Sequence, residues 1–201
     1  LIALLDTGVE SAHGILSGGT ASHLGGLFEC ANGLGTCTGP NTSQADVQID
    51  GHGTCTAAIL TANETLGSQH RGVTGANIDS YKTYFTDFTV DYPGSADAAQ
   101  RALLRGAHTI VAELAQDAGA YGPLNEIANW AYDQGAVVVA ANGNAYLAGQ
   151  GVCCPASAQR AIGVGGYCVG LPDVYRDDFA WGATLDGRVK PDIGAPSDTY
   201  T

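Results

Sequence analysis

A doubly wound α/β domain with a mostly parallel sheet is the architecture this sequence predicts, on three observations. Short uninterrupted apolar runs, above all Val137–Ala141 (VVVAA), have the pattern of strands buried on both faces. These runs alternate along the chain with segments of helical character. The 201 residues are 45% apolar and only 14% charged, which suits one domain with a sizeable core.

Taken in order, residues 2–5 form an apolar run that ends at Asp6-Thr7-Gly8 and reads as a buried strand delivering Asp6 at its C-terminal end. Residues 17–50 are rich in Gly, Ser, Thr and Asn and read as a long surface excursion. Residues 54–62 (TCTAAILTA) are helical in character, starting two residues after His52. A strand is expected within 78–85. A helix is expected over 95–106, with Ser95 as its N-cap and Gly106 as its stop. A β-branched run at 109–114 is followed by a helix near 124–134 that Gly135 ends. Val137–Ala141 and residues 161–164 supply two more strands. No repeat, low-complexity tract or linker divides the chain, so 1–201 is expected as one domain.

Eight Lys and Arg against 20 Asp and Glu leave a net charge of −12. Nucleic acid and anionic membrane are poor partners for such a surface, because both need basic patches. No apolar run approaches the roughly 18 residues of a membrane span, and the opening Leu1-Ile2-Ala3-Leu4-Leu5 is too short for a signal peptide. A secreted form is therefore expected to have lost its leader already. Six cysteines favour an oxidising compartment. Cys30 and Cys37 flank a short Gly/Asn-rich loop that a disulfide could close, and Cys153 or Cys154 is a candidate partner for Cys168. Spacing leaves the pairing open, and no pattern of zinc-ligand spacing occurs.

Three motifs carry the chemistry. Asp6 at a strand end, followed by small residues, is placed to orient a histidine and stabilise its imidazolium. In Gly51-His52-Gly53-Thr54 the flanking glycines let the backbone turn tightly and open the imidazole to a cleft, a setting for a general base near neutral pH. His13, His23, His70 and His108 lack such a setting and are expected to be structural or exposed. Asn142-Gly143-Asn144 follows the strand 137–141, where an amide can donate to a developing oxyanion, although taken alone Asn-Gly reads first as a turn. Leu4-Leu5-Asp6-Thr7-Gly8 also resembles the triplet of aspartic peptidases. Those enzymes need two carboxylates sharing one proton, and no second Asp-Thr/Ser-Gly occurs in the sequence.

The order of these motifs resembles the subtilisin-like serine peptidases (subtilases). Asp6-Thr7-Gly8 matches the family's DTG or DSG, and residues 51–54 match its GHGT. Residues 137–144 resemble VVVAAAGN, whose final Asn lines the oxyanion hole. Residues 154–157 with 161–165 resemble YPAS…AIAVGA, residues 179–196 resemble FSSRGPTxDGRIKPDIVAPG, and residues 72–76 are a weaker echo of GVAP. The resemblance spans nearly the whole chain. It implies a three-layer, doubly wound subtilisin-like domain, with Asp6, His52 and Asn144 in catalytic roles and a peptide or protein as substrate. No organic cofactor is implied. Calcium is frequent in the family, but no ligand set stands out here.

The departures are as informative. Where the family has SLGG in its substrate-binding strand, this sequence reads Glu113-Leu114-Ala115-Gln116, so Glu113, Leu114 and Ala115 are the candidate substrate-binding residues. Asn142 stands where the family usually has Ala. Cys55, directly after the His motif, is expected as a small buried hydrophobe; a thiol close to His52 is the other reading. The family's GTSxAxP, which carries the nucleophilic Ser, has no counterpart, and Ser197 stands in place of the Gly of APG. The nucleophile is therefore expected in a segment outside this chain, together with residues that precede the first strand. A propeptide is a further expected partner. The non-enzyme alternative is an inactive subtilase fold that binds peptide without cutting it.

Overall fold

The structure is a computed structural model that describes residues 1–17, 23–41, 43–47, 51–62, 72–115, 122–144, 151–168, 171–175 and 179–197. The chain divides into two compact units, Leu1–Val111 and Ala112–Thr201.

The first unit contains β1 (Ile2–Asp6), the single-turn α1 (Gly14–Ser17), β2 (Leu24–Glu29), α2 (His52–Thr61), β3 (Ile78–Lys82), α3 (Tyr92–Leu104) and β4 (Thr109–Ala112). Its sheet order is β4-β1-β3-β2, and β3 pairs in parallel with both β1 and β2. The registers Leu5↔Tyr81 and Asp6↔Lys82 put Asp6 at the last paired position of β1. Leu4, Val9, Leu16, Ala57 and Ile78 form one buried cluster, with Ile2, Leu24, Leu60 and Val111 packed against it. This cluster joins β1, α1, α2 and β3. A Leu→Ala truncation in such a core typically costs about 2–5 kcal/mol, so the strand bearing Asp6 and the helix bearing His52 are held against each other firmly.

Several expectations change here. Residues 17–50 are not simply a surface excursion, because β2 enters the sheet and Gln44 is buried behind it. Gln44 accepts from the Val9 N–H and the Ser80 hydroxyl, and donates to the carbonyls of Phe28 and Ser80. An amide that satisfies backbone groups on three segments can be buried where a charged side chain could not. Helix α2 begins at His52 itself, since the Cys55 N–H already bonds the Gly51 carbonyl at 2.8 Å. Helix α3 starts three residues before the expected cap. Asp91 is the N-cap, its carboxylate accepting from the Gly94 N–H at 2.9 Å, while Ser95 is buried within the first turn and donates to the Asp91 carbonyl. Asp91 wins because it precedes Pro93, a residue well suited to a first helical turn. Gly106 follows the helix as expected.

Beneath β2 and β3 lies a charged cluster. Asp79 is buried, pairs with Arg105 at 2.5 Å and accepts from the Gly26 N–H. Arg105 also stands over the Phe28 ring, which stacks on Tyr81 with centroids 4.6 Å apart. Burial, and then the neighbouring Asp79 charge, push the Tyr81 phenol well above its ordinary value.

The second unit contains α4 (Pro123–Asp133), β5 (Val137–Ala141), β6 (Ala161–Cys168), β7 (Leu171–Tyr175), β8 (Gly182–Ala183), β9 (Val189–Lys190) and β10 (Ile193–Pro196). β6 pairs in parallel with β5 and β10 and antiparallel with β7, and β8–β9 is a small hairpin. The expected strand over 161–164 runs on to Cys168. The helix near 124–134 and the strand 137–141 fall where the sequence puts them. Small residues line the packed faces: Ala128, Ala131, Ala136, Ala140, Ala156, Ala158 and Ala161 are all buried. These pairings and crossovers are those of a mostly parallel, doubly wound α/β fold.

Cys30 and Cys37 form a disulfide just after β2. Cys168 is bonded to neither Cys153 nor Cys154, so the second expected bridge is absent; both of its candidate partners are buried in the packing of the second unit. No helix of the described residues is long and apolar enough to cross a membrane. Among the described residues no group of three His, Cys, Asp or Glu could hold a metal ion.

Candidate active site

Asp6 and His52 lie 46 residues apart in sequence and meet at 2.8 Å, Asp6 Oδ1 to His52 Nδ1. Asp6 is fully buried at the end of β1, whereas the His52 side chain is 43% exposed at the start of α2. Oδ1 also accepts from the Thr7 N–H at 2.6 Å. Oδ2 is buried and has no hydrogen-bond partner among the described residues. An ionised carboxylate only accepts, so the shared proton belongs on Nδ1 and the Nε2 lone pair is left as the basic site.

What brings strand and helix this close is the absence of a side chain at residue 53. A Cβ there would lie 2.2 Å from the Gly8 carbonyl and 3.2 Å from the Asp6 carboxyl carbon. The first turn of α2 also lacks a cap of its own, since Gly51 has no side chain and no acid follows in that turn. Its exposed N–H groups find acceptors elsewhere. Gly53 N–H donates to Thr7 Oγ1 at 3.0 Å, and Thr54 N–H donates to Asp46 Oδ2 at 2.8 Å. Thr54 Oγ1 donates to that same oxygen at 2.8 Å and accepts from the Glu10 N–H. Thr7 Oγ1 donates to Asp46 Oδ1 at 2.7 Å. Sequence reasoning missed Asp46, Thr7 and Thr54 in these roles. The signal was present: a helix opening on Gly-His-Gly needs an acceptor from outside, and Asp46 and Asp50 are the acids just upstream. Asp50 lies outside the described residues.

In the second unit, Asn144 follows β5 and forms an isolated antiparallel bridge with Phe179. The Ala180 N–H donates to the Gly143 carbonyl at 2.8 Å, and Asn142 Nδ2 donates to the Ala180 carbonyl at 2.6 Å. Asn142 is therefore a buried clamp on the segment behind the loop, which gives its departure from Ala a structural reading. Its Oδ1 has no hydrogen-bond partner among the described residues. Gly143 has φ +97° and packs so closely that a Cβ would fall 2.4 Å from Cys153 Sγ. Asn144 itself is half-buried. The sequence marked Asn144; it missed Phe179, Ala180 and Cys153 as the loop's supports.

Glu113, Leu114 and Ala115 directly follow β4. Leu114 is buried, and Glu113 and Ala115 are half-buried. Leu114 thus packs inward instead of facing outward, whereas Gln116 lies outside the described residues. Cys55 is exposed, contrary to expectation: it occupies the outer face of α2, opposite the buried Thr54 and Ala57. Ser197 donates its hydroxyl to the Tyr167 carbonyl at 3.0 Å, a backbone role. His13 and His108 are exposed, His23 is half-buried, and His70 lies outside the described residues.

Comparison with known proteins gives the family and the fold. The model of the subtilase family (peptidase family S8) matches residues 1–200. Among solved structures, the S41 psychrophilic protease superposes with a TM-score of 0.73 at 26% identity, over 97% of this chain and 65% of that one. Sphericase gives 0.70 at 21% identity, over 97% and 66%. The epidermin leader peptide processing serine protease from Staphylococcus aureus gives 0.69 at 20% identity, over 97% and 51%. The chain thus spans between half and two thirds of the length of these structures. Matched from its first strand to its last, this chain belongs to the subtilase family.

Proposed function

We propose that this chain is the acid–base part of a secreted, subtilisin-like serine endopeptidase, with the nucleophilic Ser contributed by a segment outside these 201 residues. The observation that carries the reading is the 2.8 Å contact between the buried Asp6 carboxylate and the half-exposed His52 imidazole. His52 Nε2 removes the proton of the Ser hydroxyl as its oxygen attacks the peptide carbonyl, then returns that proton to the leaving amine. Asp6 holds the imidazole in the required tautomer and stabilises its cation. Asn144 donates to the oxyanion of the tetrahedral intermediate. Water repeats the sequence on the acyl-enzyme, with His52 again as the base.

The Cys30–Cys37 disulfide and the acidic surface support an extracellular setting. The position of 113–115 at the end of β4 supports their role as the strand that pairs with substrate, with Glu113 favouring basic side chains nearby. A peptide panel varied at P1 and P2 tests this: Glu113→Gln is expected to weaken the preference for Lys and Arg, and an unchanged profile removes the idea.

The primary test is to label the intact protein with a fluorophosphonate probe and identify the labelled peptide by mass spectrometry. Labelling of one Ser outside residues 1–201, abolished by His52→Ala, is the expected result. Absence of label on the folded protein would leave a binding module.

A further inference from the structure

The carboxylate of Asp46 does more than cap a helix. We propose that Asp46 is a positioning residue for proton transfer, binding the loop after Asp6 and the helix of His52 through one carboxylate. Its Oδ1 accepts from Thr7 Oγ1 at 2.7 Å, one residue beyond Asp6. Its Oδ2 accepts from Thr54 N–H and Thr54 Oγ1, both at 2.8 Å, two residues beyond His52. Thr7 Oγ1 closes the circuit by accepting from Gly53 N–H at 3.0 Å. Two separately folded elements are therefore tied to each other beside the atoms that share the proton. The Val47 N–H, bonded to the Thr7 carbonyl at 3.2 Å, pins the Asp46 segment to the same loop.

The arrangement assigns a task to each hydroxyl. Thr7 must both donate to Asp46 and accept from Gly53, which only a hydroxyl at that position can do. Thr54 must donate to Asp46 while accepting from the Glu10 N–H. A carboxylate is needed at 46 because both of its oxygens act purely as acceptors. In Asn the Nδ2 group would face a donor, and one side of the tether would open. Acceptors bearing charge make the shorter and stronger bonds. A helix start anchored in this way cannot slide or tilt without carrying the imidazole away from Asp6. A displacement of about 1 Å at a reacting group costs on the order of 100-fold in rate.

This inference rests on the peptidase reading for its kinetic test and not for its spectroscopic one. In the intact protein, Asp46→Asn and Thr7→Val are each expected to lower kcat by about 10- to 100-fold, as loss of supporting hydrogen bonds does elsewhere. KM should stay within two-fold. Thr7→Ser, which keeps the hydroxyl, should recover most of the loss seen in Thr7→Val. In parallel, ¹⁵N-histidine NMR is expected to show a downfield Nδ1 proton on His52, identified by its disappearance in His52→Gln, that weakens in Asp46→Asn and Thr7→Val and returns in Thr7→Ser.

Retention of kcat and of the Nδ1 signal in both disrupted variants would overturn the proposal, even if their melting temperatures fell. Loss of the fold in both would reduce Asp46 to a structural staple and would equally overturn it. If the wild-type protein takes no fluorophosphonate label, the peptidase reading fails, and the Nδ1 signal still decides the role of Asp46.

Discussion

The Asp6–His52 corner and the Asn144 loop are stabilised by different physics. The corner is a network of carboxylates and hydroxyls: Asp6 holds His52, and Asp46 holds Thr7 and Thr54. The loop is held by backbone bonds and one buried neutral amide, that of Asn142 on the Ala180 carbonyl. Gly143 and Asn144 pair with Phe179 and Ala180, and the turn of Gly143 lies directly against Cys153. On the proposed mechanism His52 gains and loses a proton and is served by charged neighbours, whereas Asn144, a neutral amide donor, needs only to stay in place. The first region should therefore respond to loss of a charge or hydroxyl, and the second to any change of volume.

The largest expected effect falls on the first region. If the proposed peptidase activity holds, Asp6→Asn in the intact protein should lower kcat by about 10⁴-fold, because the amide favours the wrong tautomer of His52. Steady-state turnover of a peptide substrate measures it, and a drop below ten-fold would show that Asp6 does not orient the base. Asn144→Ala should cost less, about 10²- to 10³-fold in kcat with little change in KM. A rise in KM at constant kcat would instead make Asn144 a ground-state contact.

Stability distinguishes the two regions more sharply. Gly143→Ala meets Cys153 Sγ at 2.4 Å from a backbone at φ +97°, and is expected to cost about 1–3 kcal/mol. Thermal melting measures this. Adding Cys153→Ala should restore the part due to the clash and leave the part due to the backbone, so full recovery would mean that the φ angle carries no strain.

The smallest effect concerns alkaline pH and the first unit alone. Burial raises the Tyr81 phenol above its ordinary value, so the folded state keeps its proton at a pH where the unfolded chain gives it up. The resulting stability is complete below about pH 10, the unfolded value. It declines above that by up to about 1.4 kcal/mol per pH unit for this one group. Tyr81→Phe should flatten that decline in a denaturation series from pH 9 to 11, and an unchanged slope would place the alkaline sensitivity elsewhere.

Much of the candidate site could be located without a structure, because its motifs are contiguous residues. A strand that ends in Asp-Thr-Gly, a His between glycines, and an Asn after VVVAA each need only neighbours in sequence to be recognised. The fold class followed for the same reason: uninterrupted apolar runs and helical segments are local patterns. Departures arose where a local rule had a competitor. Asp91, two residues before Pro93, took the cap expected of Ser95. Cys55 is exposed because the buried side of α2 is filled by Thr54, Ala57 and Thr61.

The sequence by itself determined which groups are available: a carboxylate, an imidazole and an amide in a subtilase order, on strands and a helix of recognisable pattern. Tertiary structure alone decided which groups touch. The Asp6–His52 pair spans 46 residues and the Thr7–Asp46 bond spans 39. Such partners are selected by how the sheet and helix pack, and no short-range propensity encodes them. The cysteines divide in the same way: Cys30 and Cys37, seven residues apart, bond across the short loop that their spacing suggested, whereas Cys168 bonds to neither Cys153 nor Cys154. The reason is geometric. A hydrogen bond or disulfide requires atoms within a few ångströms, and for residues far apart in sequence only the packed core sets that distance.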